Sequence, residues 1–236
     1  MTAKRTPLYH AFLARNAQMA EKAHFLTANV FTDAATEHHA VRNAAGLFEI
    51  FGQFLLEVAG DEAEAVLNET FVADMTRLAP GRGVYCGILN DQGGFIDDVI
   101  TYRAAPDLFW VVPAPHRVAR VEAYLRERGR GRRVHAVSLG YRYVSLSLQG
   151  PQARACLARV TDADVSNEAL PNFGMIFSIK LSRKLFIFSR LATGYFRKMM
   201  FYKKMLFSAS KKNKRKLKTA ILLVHYVFPC PPMIEI

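Results

Sequence analysis

The sequence predicts an α+β fold of mostly antiparallel sheets with flanking helices. Short extended runs, rich in branched and aromatic residues, alternate along the chain with single segments of helical periodicity. Two of these runs flank a Gly-Gly turn, which is typical of a hairpin, and hairpins join antiparallel strands. With 236 residues, the chain can form one large domain or two small ones.

The N-terminal elements follow from helix start and stop signals. A helix is predicted to open at Thr6-Pro7 and to continue at helical spacing as far as Met19. A second helix is expected over residues 36–45, with Gly46 as its left-handed stop. Residues 47–58 are predicted to be extended, and Asp61-Glu62-Ala63-Glu64 has the spacing of a capping box for a third helix.

The middle of the chain is predicted to be a sheet followed by a helix. Strands over residues 84–90 and 95–103 form the hairpin, and a third strand at residues 108–112 ends at Pro113. The helix that follows opens at Pro115 and closes at Gly129. Its apolar stripe is Val118, Val121 and Leu125. Two further strands and a helix are expected at residues 134–139, 143–148 and after Gly150.

Two adjacent carboxylates stand in the second strand of the hairpin. Because side chains alternate along a strand, one row holds Phe95, Asp97 and Val99, and the other holds Ile96, Asp98 and Ile100. If either apolar row is buried, its acid is buried too, and it must find a partner or shift its pKa. One interpretation is a reactive site. The other is a pair of acids at a hairpin edge, one solvated and one accepting backbone hydrogen bonds.

Five arginines cluster at the C-terminal end of the predicted fourth helix: Arg126, Arg128, Arg130, Arg132 and Arg133. They could contact a phosphate or a polyglutamate chain. Alternatively, they form a solvated helix end whose cations suit the helix dipole, and we favour this interpretation.

The basic excess of the chain belongs to its C-terminal part. The formal net charge is +12, yet residues 1–174 hold 18 Lys and Arg against 19 Asp and Glu. Residues 175–236 hold 14 bases and one acid, and their composition changes from Arg and Ala towards Lys, Phe and Ile. We therefore predict a domain boundary at residue 174 and a non-native or disordered tail. The alternative is a tail that binds nucleic acid or a membrane surface through residues 197–218.

The cysteines and histidines match no metal site or disulfide framework. Cys86, Cys156 and Cys230 lie far apart, and no secretory signal is visible, so we expect a cytoplasmic protein without membrane or nucleic-acid partners. Adjacent side chains such as His38 and His39 point about 100° apart on a helix, which is poor geometry for one ion. We predict no metal.

Four segments, in order along the chain, resemble the glycine-cleavage T-protein (aminomethyltransferase) family. Two are long: residues 37–48, from Glu37-His38-His39 to Gly46-Leu47-Phe48, and residues 78–100, which include the hairpin. The others are Thr6-Pro7-Leu8-Tyr9 and Leu148-Gln149-Gly150-Pro151. The resemblance covers residues 6–174 and implies antiparallel α+β domains around a central folate pocket.

The resemblance also implies a chemistry and the residues that perform it. A one-carbon unit would leave a carrier amine as an iminium-like cation and be captured by tetrahydrofolate. Asp97 would be the catalytic carboxylate that faces the folate nitrogens. Tyr85 and Val99 would line the folate pocket, and the strand around Trp110 and Val112 would lie beside it. The implied partners are folate, an amine or methyl donor, and a lipoyl carrier protein.

Departures from the family pattern keep other functions open. Pro113 stands where the family usually has Asn, and the family's second half, which completes the pocket, is not recognisable after residue 174. We therefore expect an impaired one-carbon transferase. The alternatives are a non-catalytic folate-binding accessory domain and a relative of folate-dependent demethylases.

Overall fold

The computed structural model describes residues 3–22, 24–50, 55–139, 143–180, 183–191 and 218–225. It confirms the predicted α+β class. The helices are α1 (Tyr9–Leu13), α2 (Ala34–Asn43), α3 (Ala63–Thr70), α4 (Val118–Arg128) and α5 (Ala153–Ala158). The first strands are β1 (Lys4–Arg5), β2 (Gln18–Lys22), β3 (Phe25–Val30), β4 (Gly46–Glu49), β5 (Leu56–Ala59) and β6 (Gly83–Leu89). The remaining strands are β7 (Phe95–Ala105), β8 (Leu108–Val112), β9 (His135–Ser138), β10 (Tyr143–Gln149), β11 (Met175–Lys180), β12 (Arg183–Leu191) and β13 (Lys218–His225).

The described strands form three sheets. A small sheet has the order β1-β3-β2, a second sheet the order β11-β12-β13-β10-β4, and the sheet that we call the central sheet the order β6-β7-β8-β5-β9. Only the β1–β3 pair among them is parallel. A hydrogen bond of 3.3 Å from Thr27 Oγ1 of β3 to Glu49 Oε2 of β4 links the small sheet to the second sheet.

One face of the central sheet, which we call the helix face, is covered by α3 and α4. The predicted stripe of Val118, Val121 and Leu125 is buried against it. Gly129 is the C-cap of α4, as predicted, but the helix begins at Val118 and not at Pro115. Phe109 and Val58 are fully buried on the sheet side of the same core. Removing these apolar surfaces from water stabilises the pairing of helix and sheet.

The predicted hairpin is confirmed, and it contains an irregularity that the sequence did not reveal. β6 and β7 pair with Ile88 opposite Asp97, but the next pair joins Leu89 to Phe95. Ile96 is therefore an extra residue, a β-bulge, and it turns its side chain into the core of the helix face. Phe95 lies over Gly87 on the other face and is 62% exposed, so the predicted placement of Phe95 beside Asp97 and Val99 is wrong.

The N-terminal helices differ in extent from the prediction. α1 ends at Leu13 and Asn16 adopts a left-handed φ of 58°, so Met19 lies in β2 and not in the first helix. α2 begins earlier than predicted because the Asp33 carboxylate accepts the backbone N–H groups of Ala35 and Thr36. It ends at Asn43, and Gly46 opens β4 instead of capping the helix.

The predicted capping box at Asp61 does not form. α3 begins after Glu62, which makes no side-chain cap. Asp61 instead contacts the Arg133 guanidinium at 3.2 Å, and Glu62 accepts the backbone N–H of Arg133 at 2.7 Å. Contacts between the α3 start and the α4–β9 connection therefore replace a local cap.

Three segments of the predicted tail are strands. β11, β12 and β13 pair antiparallel, and β13 pairs in turn with β10 over seven residues. The basic block at residues 211–216 lies outside the described residues. The boundary at residue 174 and the non-native origin of residues 175–236 stay predictions.

Candidate functional site

The two adjacent carboxylates of β7 lie on opposite faces of the central sheet. Asp97 pairs with Ile88, and both belong to the row that contains Cys86 and Val99 on the helix face. Asp98 pairs with Gly87 and belongs to the row that contains Tyr85 and Ile100. We call this second surface the Tyr85 face. The alternation predicted for the two acids is confirmed.

Asp97 is enclosed on the helix face. Asp97 is 4% exposed, and its Oδ2 accepts the backbone N–H of Ala114 at 2.9 Å. Burial raises the pKa of the Asp97 carboxyl above 3.8. The Ala114 and Asp98 N–H groups lower this pKa, the Asp98 charge raises it, and the Arg117 charge lowers it. A carboxylate in this setting is held by the fold and has little access to a ligand.

Asp98 lies beside an exposed phenol. The Tyr85 hydroxyl donates a hydrogen bond to Asp98 Oδ2, and Tyr85 is 46% exposed. Gly87 lies directly opposite Asp98 and has no side chain. The ring of Phe95 therefore lies over Gly87, on one side of the Asp98 carboxylate. The pair therefore offers an anionic oxygen and a hydroxyl at the surface of the Tyr85 face.

The rest of the Tyr85 face is apolar and partly covered. Val112 lies opposite Ile100, two residues along the strand from Asp98, so Val112 is a diagonal neighbour of the carboxylate. Trp110 is 4% exposed and packs with Ile100 and Tyr102, while Phe173 and Met175 pack against the same cluster. The Trp110 Nε1 lies 3.5 Å from Glu57 Oε2. Trp110 is thus a floor residue and not an open contact surface.

The five residues predicted for the site do not lie together. Tyr85, Trp110 and Val112 share the Tyr85 face, whereas Asp97 and Val99 share the helix face on the other side of the sheet. Sequence reasoning did not select Asp98 as a site residue. The signal that could have selected Asp98 is the pairing of the hairpin. In a hairpin that turns at Gly93-Gly94, Asp98 and Tyr85 lie on the same face of the sheet.

The pKa of Asp97 predicts a difference in pH dependence between wild type and Asp97→Asn. Because the folded pKa is raised, the unfolded chain loses its proton first, so this group's contribution to the free energy of unfolding is full below pH 3.8. That contribution is lost as the pH rises through the folded pKa. Urea unfolding between pH 3 and 7 should show a larger decline in wild type than in Asp97→Asn. Parallel curves would contradict it, since Glu49, whose pKa is also raised by burial, is present in both.

A cavity of about 380 Å³ lies elsewhere on the central sheet. Residues 69–72, 89–91 and 93 line it, at the end of α3 and the turn of the hairpin. It shares no residue with the predicted site. Its two carboxylates, Glu69 and Asp91, are already paired with Arg132 and Arg128.

The arginines at the end of α4 have acidic partners. The pairs are Arg126–Glu122, Arg128–Asp91, Arg130–Glu127, Arg132–Glu69 and Arg133–Asp61. Paired guanidinium groups have less charge to offer to a phosphate or a polyglutamate chain. The arrangement supports the interpretation of a solvated helix end.

The described residues contain no group of three or more His, Cys, Asp or Glu side chains placed to hold a metal ion. The rings of His38 and His39 are 5.9 Å apart and inclined by 73° on the exposed helix α2. None of the helices in the described ranges has the length and apolar character needed to span a bilayer.

Known proteins are similar to this chain in sequence and in fold. The GCVT N-terminal domain family matches residues 8–195. Aminomethyltransferases of Thermus thermophilus and Bacillus subtilis are 36% and 31% identical over 167 and 192 residues. The crystal structure of glycine cleavage system aminomethyltransferase T from Bartonella henselae superposes with a TM-score of 0.73 at 25% identity, over 95% of this chain and 54% of that one.

These matches define the class of protein as one with the fold of a glycine-cleavage aminomethyltransferase. The chain belongs to the GCVT N-terminal domain family. It spans about half the length of the curated relatives that it matches, 47% of the Thermus protein and 52% of the Bacillus protein. The family match continues past the predicted boundary at residue 174.

Proposed function

We propose that this chain provides the folate-binding part of a tetrahydrofolate-dependent one-carbon transferase of the glycine-cleavage T-protein type. The observation that carries the proposal is the Tyr85–Asp98 pair, an accessible carboxylate on the Tyr85 face of a family fold. Relatives at 31–36% identity are aminomethyltransferases, which supports the same reaction class here.

The chemistry suits a carboxylate in the position of Asp98. The one-carbon unit is presented as an iminium-like cation that still carries the donor's amine. A folate nitrogen attacks its carbon and loses its proton, and the C–N bond to the donor amine then breaks as that amine takes up a proton and leaves. A fixed negative charge stabilises that cation, and a carboxylate oxygen can orient the attacking N–H and accept its proton. Tyr85 holds the Asp98 carboxylate through its hydroxyl, so the charge is aimed before the substrate arrives.

The assignment of the reacting carboxylate therefore moves from Asp97, the residue chosen from the sequence, to Asp98. Asp97 has its Oδ2 occupied by a backbone N–H and is 4% exposed, so an approaching folate nitrogen has no path to it on the helix face. In this proposal Tyr85 and Val112 contact the folate, Trp110 forms the floor beneath it, and Val99 acts only by packing under the strand.

The proposed partners are tetrahydrofolate, an amine or methyl donor, and a lipoyl carrier protein that delivers the donor. The half-buried Val112 and the exposed Tyr85 ring offer apolar surface to the flat ring of a pterin, with Trp110 and Ile100 packed beneath them, and the Tyr85–Asp98 pair suits the ring nitrogens. Nucleic-acid and membrane partners are not part of the proposal.

A second candidate is a folate-binding accessory domain without transferase activity. Pro113, which directly follows Val112, favours the accessory domain, because proline has neither a side-chain amide nor a backbone N–H to donate to a ligand. Binding of tetrahydrofolate without any transfer in a single-turnover assay would select this candidate.

Folate binding by the chain is the direct test. Because Trp110 is the sole tryptophan and lies under the proposed pterin position, its fluorescence should change on titration with tetrahydrofolate. With part of the pocket missing, we expect a dissociation constant of about 10 µM to 1 mM, a binding free energy of about −4 to −7 kcal/mol. Calorimetry gives the independent value.

The matched control for this titration is Tyr85→Phe. It keeps the ring but removes the hydroxyl that holds Asp98, so we expect affinity to fall about 3- to 10-fold, the value of one hydrogen bond. No saturable signal up to millimolar tetrahydrofolate in wild type would refute the proposal. Binding tighter than micromolar would refute the expected impairment.

A further inference from the structure

The carboxylate on the helix face has no part in the proposed reaction, yet it is buried in the same strand, one residue from Asp98 and on the opposite face of the sheet. Asp97 lies in β7, directly under the bulge at Ile96, and is 4% exposed. Placing a carboxylate among apolar side chains costs free energy unless hydrogen bonds compensate it. A hydrogen-bond donor from another segment of the chain compensates this carboxylate.

That donor lies in the loop between β8 and α4. Residues 113–115 read Pro113-Ala114-Pro115, and proline has no backbone N–H, so Ala114 supplies the single N–H of this tripeptide. Asp97 Oδ2 accepts that N–H at 2.9 Å. The Ala114 N–H, the one donor among these three residues, is therefore bound by the Asp97 carboxylate of β7.

The same alanine also connects to the helix that follows. The Ala114 carbonyl accepts the backbone N–H of Arg117 at 2.8 Å, and Arg117 is the N-cap residue of α4. Both backbone polar groups of Ala114 are thus used, one by Asp97 and one by the start of α4. On the other side, Val112 immediately precedes this loop and is the diagonal neighbour of Asp98.

We propose that Asp97 is a positioning residue that anchors the β8–α4 loop through the Ala114 N–H and thereby holds Val112 against the Asp98 site. The effect on the site rests on the proposed function, whereas the anchoring of the loop does not. The two adjacent acids then have different roles on the two faces of the sheet. Asp98 contacts the ligand, and Asp97 binds the loop that borders the ligand site.

Amide hydrogen exchange at Ala114 tests the anchoring without any folate. In the ¹⁵N-alanine-labelled chain we expect the Ala114 amide to be protected. Asp97→Ala should speed its exchange about 10-fold or more, while Asp97→Asn, whose side-chain oxygen still accepts, should retain most of the protection. Asp98→Asn is the matched control, because it removes the same charge one residue away on the other face, and should leave this exchange unchanged.

The second readout is tetrahydrofolate affinity, measured by Trp110 fluorescence. Asp97→Ala should weaken binding about 5- to 10-fold and Asp97→Asn should restore most of it, measured at a temperature at which urea unfolding shows both variants to be fully folded. If exchange at Ala114 is the same in Asp97→Ala as in wild type, the anchoring is refuted. If exchange rises but affinity stays at the wild-type value, the positioning role is refuted.

These outcomes separate this inference from the proposed function. A wild-type chain that binds no tetrahydrofolate contradicts the proposed function, and the exchange measurement still decides whether Asp97 holds the loop. If Asp97→Ala does not fold, Ala114→Pro removes the donor and leaves the carboxylate in place. It should then weaken folate affinity to the same extent, and wild-type affinity in Ala114→Pro would refute the positioning role.

Discussion

Under the proposed function, Asp98→Asn should lower the rate of one-carbon transfer to tetrahydrofolate by about 100- to 1,000-fold, the usual effect of removing one electrostatic stabiliser of a transition state. Asparagine fills the same space and still accepts a hydrogen bond from Tyr85, but it has no charge to stabilise the iminium-like cation. A single-turnover assay with the chain in excess over the folate detects transfer even when it is slow, so it is the appropriate measurement.

Asp97→Asn is the matched control for this experiment. It makes the same chemical change one residue earlier, on the helix face, and should reduce transfer by less than about 10-fold because the amide oxygen still accepts the Ala114 N–H. The reverse order, with Asp97→Asn the more damaging variant, would contradict the assignment and restore the carboxylate that the sequence selected.

The second large effect concerns stability. Gly150 directly follows β10 and has a φ of +115°, and a Cβ at this position would lie 2.5 Å from the Ala44 carbonyl oxygen and 2.6 Å from that of Val41. The last turn of α2 would have to move away from the second sheet. Gly150→Ala should therefore reduce the free energy of unfolding by at least about 3 kcal/mol, a large share of the 5–15 kcal/mol of an ordinary domain.

Gly131→Ala separates backbone strain from the close approach. Gly131 also has a positive φ, 76°, but a Cβ added there would meet no atom within 4 Å. Only the left-handed conformation is therefore penalised, by about 1–2 kcal/mol. Urea unfolding of the two variants measures both values. Equal destabilisation would show that the contact with α2 contributes nothing.

Turn residues and helical periodicity were sufficient to predict the hairpin and the apolar stripe of α4. The Gly-Gly hairpin and the α4 stripe were found correctly because turn chemistry and helical periodicity are properties of neighbouring residues. The first helix was extended wrongly to Met19 because apolar spacing alone does not distinguish a helix from the turn and strand that follow Leu13. The capping box at Asp61 failed for a related reason, since its carboxylate has a long-range partner in Arg133.

The candidate site shows where sequence reasoning stopped. Alternation separated Asp97 from Asp98, but it could not say which row would be covered by helices. The bulge at Ile96 made this harder, because it moved Phe95 across the sheet and removed the apolar side chain that simple alternation placed beside Asp97. Val99, which the family resemblance placed in the folate pocket, lies in the helix-face core.

The sequence by itself determined the family, the hairpin and the presence of two acids on opposite faces, because these depend on residue identity and on the two-residue period of a strand. Only the tertiary structure decided which acid is accessible. That choice depends on where α3 and α4 pack and on which side Tyr85 and Val112 emerge, and both are set by contacts between segments that are distant along the chain.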